Sequence, residues 1–520
     1  MTFHDSAASA DAADLAAFGY PQQLHRALGS YASFAAGFSF VSILTTVFQL
    51  FFFGFSFGGA SFFWTWPIVF AGQMLVALCF AELASRYPIS GCIYQWSQRL
   101  TNPTWGWFAG WIMIVAQIVT VAAAAVALQV VLPQIWSGFQ LVGTNTSPAS
   151  VDGATNAVIL GVILVCFTTL INAGGIKLMS RINVIGVTCE LIGVTLLVIL
   201  LFAHSHRGPQ AVLHSTGAAP HSSYLGAFIV SALMAAYVMV GFDSAGELSE
   251  ETKQPRRIAP RAILKALTVS GIGGGLLVLA GIMAAPSLTN GQLSTVGLPY
   301  VLLSNLGSTV GKIFLADVAV AVTVCTLAIQ TAAMRMMFSM ARDGNLPFAD
   351  SLRKINSRTG TPILPGIVVG ILTIALLVVN LGDASVFLAL SSVCIAMLYG
   401  AYLMVTGPML VRRLRGQYRA ARPGEFSLGR FGIAVNAIAV VYGALMMINL
   451  AWPRAEVYDV AGGHWYLQWF APLFILGSVV LGALVFARLR ARRAAVPSPS
   501  AAPTSALRVE LESDLEGSPA

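Results

Sequence analysis

Charge is what this sequence has least of: 10% of its 520 residues are Asp, Glu, Lys or Arg, against 57% hydrophobic. Water-soluble domains carry about 25% charged residues. A chain this poor in charge cannot cover a water-facing surface. That excludes an ordinary soluble protein and calls for lipid as solvent.

Cysteine and histidine are sparse too. The six cysteines (Cys79, Cys92, Cys166, Cys189, Cys325, Cys394) are scattered through apolar runs, with no pair at metal-ligand spacing. A disulfide framework and a metal site are both disfavoured. All seven histidines lie in tails, loops or outer-edge segments, which leaves no ligand cluster and no general base at membrane depth. An enzyme, a metal and an organic cofactor are therefore not expected. No nucleotide-binding motif and no filter-like channel loop occurs. The first 29 residues hold Asp5, Asp11 and Asp14 where a secretory signal would be positive, so no cleavable signal is expected.

Long apolar runs are what the sequence does have. Twelve stretches are long enough to cross a bilayer: 31–53, 61–84, 105–132, 154–174, 182–203, 224–249, 262–285, 310–340, 363–380, 384–411, 430–451 and 467–488. With the N-terminus in the cytoplasm and strict alternation, 26 of the 29 Lys and Arg fall on the cytoplasmic side; only Arg207, Lys312 and Arg454 do not. That asymmetry satisfies the positive-inside rule and supports the helix count. The net charge of +8 then reflects topology, and no nucleic-acid partner is needed to explain it. The basic clusters at 253–265 and 412–430 read as solvated topology determinants. The many Phe from Phe48 to Phe63 read mostly as lipid contacts and interfacial anchors.

Two spans look broken. The first places Ser42, Thr45, Thr46 and Gln49 at mid-depth, and the sixth reads Gly241-Phe242-Asp243-Ser244-Ala245-Gly246-Glu247. Irregular backbone at membrane depth survives only where it lines a cavity or is buried in protein. Glycine lowers the cost of unwinding. Ser244 and Glu247 have capping-box spacing, which would start a second half-helix. An acid at mid-membrane costs about 2.5–3.5 kcal/mol by insertion scales, so Asp243 reads as functional ahead of merely capping a kink. Spans one and six stand five helices apart, as in a five-plus-five inverted repeat. Its paired half-helix ends would hold a zwitterion at the midplane.

At these residues the chain resembles the amino acid–polyamine–organocation superfamily of transporters, and within it the amino acid/choline transporter family, which includes 4-aminobutyrate permeases. The resemblance runs from about Tyr20 to about Arg490. It is carried by Ala81-Glu82-Leu83-Ala84-Ser85-Arg86-Tyr87-Pro88-Ile89-Ser90-Gly91, by Gly106-Trp107-Phe108-Ala109-Gly110-Trp111, by Gly241-Phe242-Asp243-Ser244 through Glu250-Glu251-Thr252-Lys253, and by Ala341-Arg342-Asp343-Gly344-Asn345-Leu346-Pro347. It implies an all-α integral membrane protein of the LeuT-like fold, with discontinuous helices one and six and two extra C-terminal helices. The expected organisation is a cytoplasmic tail (1–29), a first repeat (30–205), a second repeat (220–412), the last two spans (428–490) and a disordered cytoplasmic tail (491–520). Two departures stand out: Gly91-Cys92 where the family often has Gly-Gly, and Glu247 where it often has His. The second implies a different gate or pH response.

The resemblance places substrate among Ser42, Ile43, Thr45, Thr46, Tyr237, Val238, Met239, Gly241, Phe242 and Asp243. Gln117, at mid-depth of span three, would touch substrate or brace the unwound backbone. Glu190 stands where several relatives carry a lysine in lieu of sodium; proton handling, sodium coordination and a structural hydrogen bond all remain open for it. Thr323, Thr326 and Gln330 share one helical face and would line the ion site, although such hydroxyls more often bond their own backbone. Glu82, Arg86 and Glu247 would form the inner gate. The expected function is a secondary active transporter of a small amino acid or amine such as 4-aminobutyrate, coupled to protons (sodium being the alternative) or working by exchange, in the plasma membrane. The alternatives are a choline or polyamine carrier of the same fold and a nutrient sensor that binds without translocating. Oligomeric state is left open.

Overall fold

The computed structural model describes residues 11–148, 150–218, 223–379, 381, 386–458 and 465–495. Helices dominate, and no strand occurs among these residues; one isolated bridge pairs Leu28 with Thr252. Hydrocarbon offers no partner to an exposed peptide group, so each crossing segment must close its own hydrogen bonds.

The main helices are α1 (Ser30–Val41), α2 (Ile43–Gly58), α3 (Thr65–Arg86), α4 (Cys92–Leu100), α5 (Pro103–Ala125), α6 (Leu128–Ile135), α7 (Val151–Ala173), α8 (Ile176–Ala203), α9 (Tyr224–Val238) and α10 (Ser244–Glu247). They continue with α11 (Pro255–Ala284), α12 (Leu298–Arg342), α13 (Ile363–Val379), α14 (Val386–Leu414), α15 (Gly432–Ala451) and α16 (Phe470–Ala495). Taken as crossings, α1–α2, α3, α5–α6, α7, α8, α9–α10, α11, α12, α13, α14, α15 and α16 reproduce the twelve spans. Residues 491–495, read from sequence as tail, extend α16 instead; the tail from 496 onward lies outside the described residues.

Local chemistry sets the helix starts. Asn102 accepts the Trp105 amide at 2.9 Å with Pro103 just inside α5, and Ser150 caps α7 through the Gly153 amide at 3.0 Å. Small residues set the crossings. On α8, Gly186 and Gly193 let α12 approach so closely that a Cβ would meet Val324 at 2.3 Å and Asp317 at 1.8 Å.

Both broken helices lie at the centre. α1 packs on α11 and α8, α2 on α9, and α10 against α1. α15 and α16 are peripheral and turn Ile438, Leu445, Leu476 and Leu484 outward to lipid. The Phe-rich stretch corrects its sequence reading: Phe48, Phe51, Phe55 and Phe62 are fully buried, and Phe51 meets Phe62 edge-on at 5.4 Å. Apolar composition alone cannot tell a lipid face from a core face when both are dry.

Candidate functional site

The first break is a single residue. Ser42 separates α1 from α2 with φ 37° and ψ 101°, in left-handed territory uncommon for a residue with a Cβ. Its hydroxyl lies 2.7 Å from Thr45 Oγ1 and 3.0 Å from Glu190 Oε1, and it accepts the Thr45 amide. Glu190 Oε1 also accepts the Leu44 amide at 3.0 Å. The carboxylate thus reaches from α8 to cap the positive N-terminus of α2. Thr46 turns its hydroxyl back to the Ser42 carbonyl at 2.6 Å, covering the other side of the break.

The second break runs from Met239 to Asp243. Gly241 has φ +87°, and a Cβ there would stand 1.7 Å from the Phe40 ring, so only glycine fits between the two broken helices. The Gly241 amide donates to Tyr402 Oη at 2.8 Å, and that hydroxyl donates in turn to Asp243 Oδ1. Asp243 Oδ2 is buried and has no hydrogen-bond partner. The capping box expected of Ser244 and Glu247 does not form. Ser244 donates to the Ala36 carbonyl at 3.2 Å, and Glu247 Oε2 accepts the Gly91 amide at 2.9 Å, so both side chains turn to neighbouring segments, with Glu247 Oε1 left unpartnered.

Around the breaks the walls are aromatic and amide. Phe80, Phe242 and Tyr402 pack ring to ring at 5.0–5.9 Å. Gln49 donates to the Ala123 carbonyl at 2.9 Å and accepts from Tyr237 at 3.1 Å. Gln117 is fully buried, with neither polar atom partnered. The proposed substrate residues are no more than 5% exposed where a value is given, so the site is enclosed.

Thr326 and Gln330 are not brought to Glu190 by any hydrogen bond. Thr326 bonds its own helix at Val322, as Thr323 does at Ala319. Gln330 reaches Thr169 at 2.6 Å and Gly366 at 3.5 Å, on α7 and α13. Cys325, from the same helix, is the side chain that approaches the first break, 3.5 Å from the Phe40 carbonyl.

One face of the bundle is sealed by buried ion pairs. Glu82 holds Arg86 at 2.8 Å and Arg413 at 2.5 Å, and both guanidinium groups stack on Tyr418. Glu250 pairs with Arg342 through both oxygens, and Glu251 pairs with Arg335 in the same way. Such two-point contacts are the strong geometry for these ions. Glu247 belongs to this layer through Gly91, and Glu250 accepts the neighbouring Ser90 amide at 3.1 Å. Arg413 is therefore no solvated topology residue. Neither is Arg256 of the 253–265 cluster, which pairs with Asp14 at 2.6 Å and Glu425 at 3.0 Å. Sequence reasoning missed Tyr402, Arg335, Arg342 and Arg413. The available signal was a tyrosine and several arginines set beside long apolar runs, each of which would need a partner.

Two helices interrupted at membrane depth around an enclosed polar site, with ion pairs closing one face, define a helical membrane carrier of small solutes. Residues 28–480 match the family profile described as amino acid permease, and the chain belongs to that family. It is 28% identical over 459 residues to amino-acid permease BAT1 of Arabidopsis thaliana, covering 84% of this chain and 87% of that one. It is 27% identical over 453 residues to amino-acid permease 2 of Neurospora crassa, covering 84% and 81%. Its fold resembles that of MhsT in complex with L-phenylalanine, with a TM-score of 0.57, 15% identity, and 82% and 99% of the two chains covered. The protein is a membrane transporter of amino acids with the LeuT-like fold, and not an enzyme.

Proposed function

We propose that the chain carries a small amino acid, with 4-aminobutyrate as first candidate, by alternating access through the site between its two broken helices. The observation that supports this most is Asp243: a carboxylate in the second break, buried, with one oxygen held by Tyr402 and the other unpartnered. An unmatched buried acceptor is costly, and a substrate ammonium would complete it. The substrate carboxylate would lie toward Thr45, Thr46 and Gln117, whose amide is equally unmatched. Ser42, Ile43, Tyr237, Val238, Met239, Gly241 and Phe242 shape the space between.

In this reading Glu190 carries the coupling proton. Its carboxylate neutralises the start of α2, so gain or loss of a proton there alters the hold of α8 on the first break. Glu82, Arg86 and Glu247 act with their newly found partners as the inner gate. Both termini are cytoplasmic, in the plasma membrane. Reconstitution in liposomes tests the reading: labelled amino acids and amines are screened while proton and sodium gradients are imposed separately. Accumulation of a small amino acid driven by a proton gradient is expected. Failure to move any amino acid, or a dependence on sodium alone, would overturn the substrate or the coupling assignment respectively.

A further inference from the structure

Pro408 interrupts α14 close to the basic face, and its missing N–H leaves the Met404 carbonyl without its helical partner. Two side chains from the neighbouring segment fill the vacancy. Ser97 Oγ donates to that carbonyl at 3.0 Å and the Trp105 indole at 2.9 Å. Beside this point, between α14, the start of α5 and Val440 of α15, lies a groove of about 700 Å³. Its walls are Leu403, Leu410 and Val440, and Trp105, 41% exposed, stands at its edge as interfacial tryptophans do. Gly407 forms part of the floor, and a Cβ there would meet nothing within 4 Å.

The rim carries charge of one sign. Arg412 and Arg415 line the groove at the end of α14, while Arg413 between them turns inward to Glu82. Among the described residues, no acid lines the groove beside these two arginines. An apolar trough that ends in two uncompensated guanidinium groups at the membrane surface matches one kind of molecule: an acyl chain joined to an anionic phosphate headgroup.

We propose that this groove is a binding site for an anionic phospholipid of the leaflet on the basic face, its acyl chain over Gly407 and its phosphate on Arg412 and Arg415. The site is far from incidental to transport. The same helix carries Tyr402 to Asp243 and Arg413 to Glu82. A lipid seated there braces the segment that links the substrate site to the gate.

The test compares purified full-length protein titrated with phosphatidylglycerol and with phosphatidylcholine, bound lipid being counted by native mass spectrometry. Wild type retains phosphatidylglycerol in preference to phosphatidylcholine. Arg412→Gln and Arg415→Gln each weaken phosphatidylglycerol retention about fivefold, and together about 25-fold. Gly407→Phe, whose Cβ has open space around it, puts a ring into the trough and removes the retained lipid while leaving the melting temperature of the delipidated protein unchanged. Arg488→Gln with Arg492→Gln, which removes the same charge from the end of α16, changes retention less than twofold. Equal loss in this control would overturn the proposal by showing a general surface-potential effect. Retention by Gly407→Phe at the wild-type level would also overturn it. So would a dimer that Gly407→Phe dissociates, because the groove would then hold a second copy of the chain.

Discussion

The Tyr402 hydroxyl joins two ends of an interrupted helix: it accepts the amide of Gly241 and donates to the carboxylate of Asp243. The tyrosine comes from the unbroken part of α14, so the second break is held from outside. One oxygen of Asp243 is thereby fixed and the other presented. Tyr402→Phe keeps the ring contacts with Phe80 and Phe242 and removes only this bond. A hydrogen bond to a charged group contributes about 1.5–3 kcal/mol, so the KM for an amine-bearing substrate should rise at least about tenfold. Asp243→Asn should lower transport several-fold or more. Uptake kinetics in proteoliposomes check both, and wild-type kinetics in the second variant would remove Asp243 from the site.

Glu190 gives a separate test. Glu190→Gln keeps the shape and one acceptor for the Leu44 amide but cannot gain or lose a proton at that place. Transport by this variant should lose its response to an imposed pH gradient while exchange of substrate persists. An undiminished response would leave Glu190 a structural cap of α2.

The buried ion pairs of the sealed face predict an asymmetry in stability. Arg335→Leu alone strands Glu251 as a buried charge and should cost about 3–5 kcal/mol, whereas Arg335→Leu with Glu251→Leu should recover most of that loss. Thermal unfolding in detergent measures it. If the double variant unfolds no later than the single one, the pair is not the source of the loss.

Outside the membrane, Glu425 ties the loop after α14 to Arg256 at the start of α11. Burial pushes its carboxyl up, but the Arg422 amide, Arg419 and Arg256 together hold it below the ordinary glutamate value. The folded loop thus favours the ionised form. Its contribution is complete above the usual Glu pKa of about 4.3 and is lost as pH falls through the lower folded value. Limited proteolysis within 415–429 should accelerate on acidification. Glu425→Gln should cleave readily at neutral pH, with little further change in acid.

Much of this architecture could be read from residues alone, because lipid imposes few solutions. Apolar length located the long helices, and a glycine-flanked Asp243 betrayed the second break. The first break was located only to within a few residues, since Ser42 adopts its left-handed turn through tertiary contacts with Glu190 that are 148 positions apart in sequence. Tyr402 was illegible for a similar reason. A tyrosine in Met397-Leu398-Tyr399-Gly400-Ala401-Tyr402 looks like packing until the partner across the bundle is known. Arg335 and Arg342 looked like topology signals because their acids lie 84 and 92 residues away.

Between Tyr20 and Leu28, the segment before α1 is bound to the sealed face. The amides of Ala27 and Leu28 donate to the Glu251 carbonyl, the Lys253 amide returns to Leu28, and Tyr20 bonds Asp343 while its ring lies 4.0 Å beneath Arg342. These are contacts with the residues of the proposed gate and their neighbours. If the proposed gate parts these residues, each opening peels the leading segment from its seat and each closure lays it down again. On that proposal, a reporter attached near Tyr20 would register every turn of the carrier's cycle, at a distance from the solute it moves.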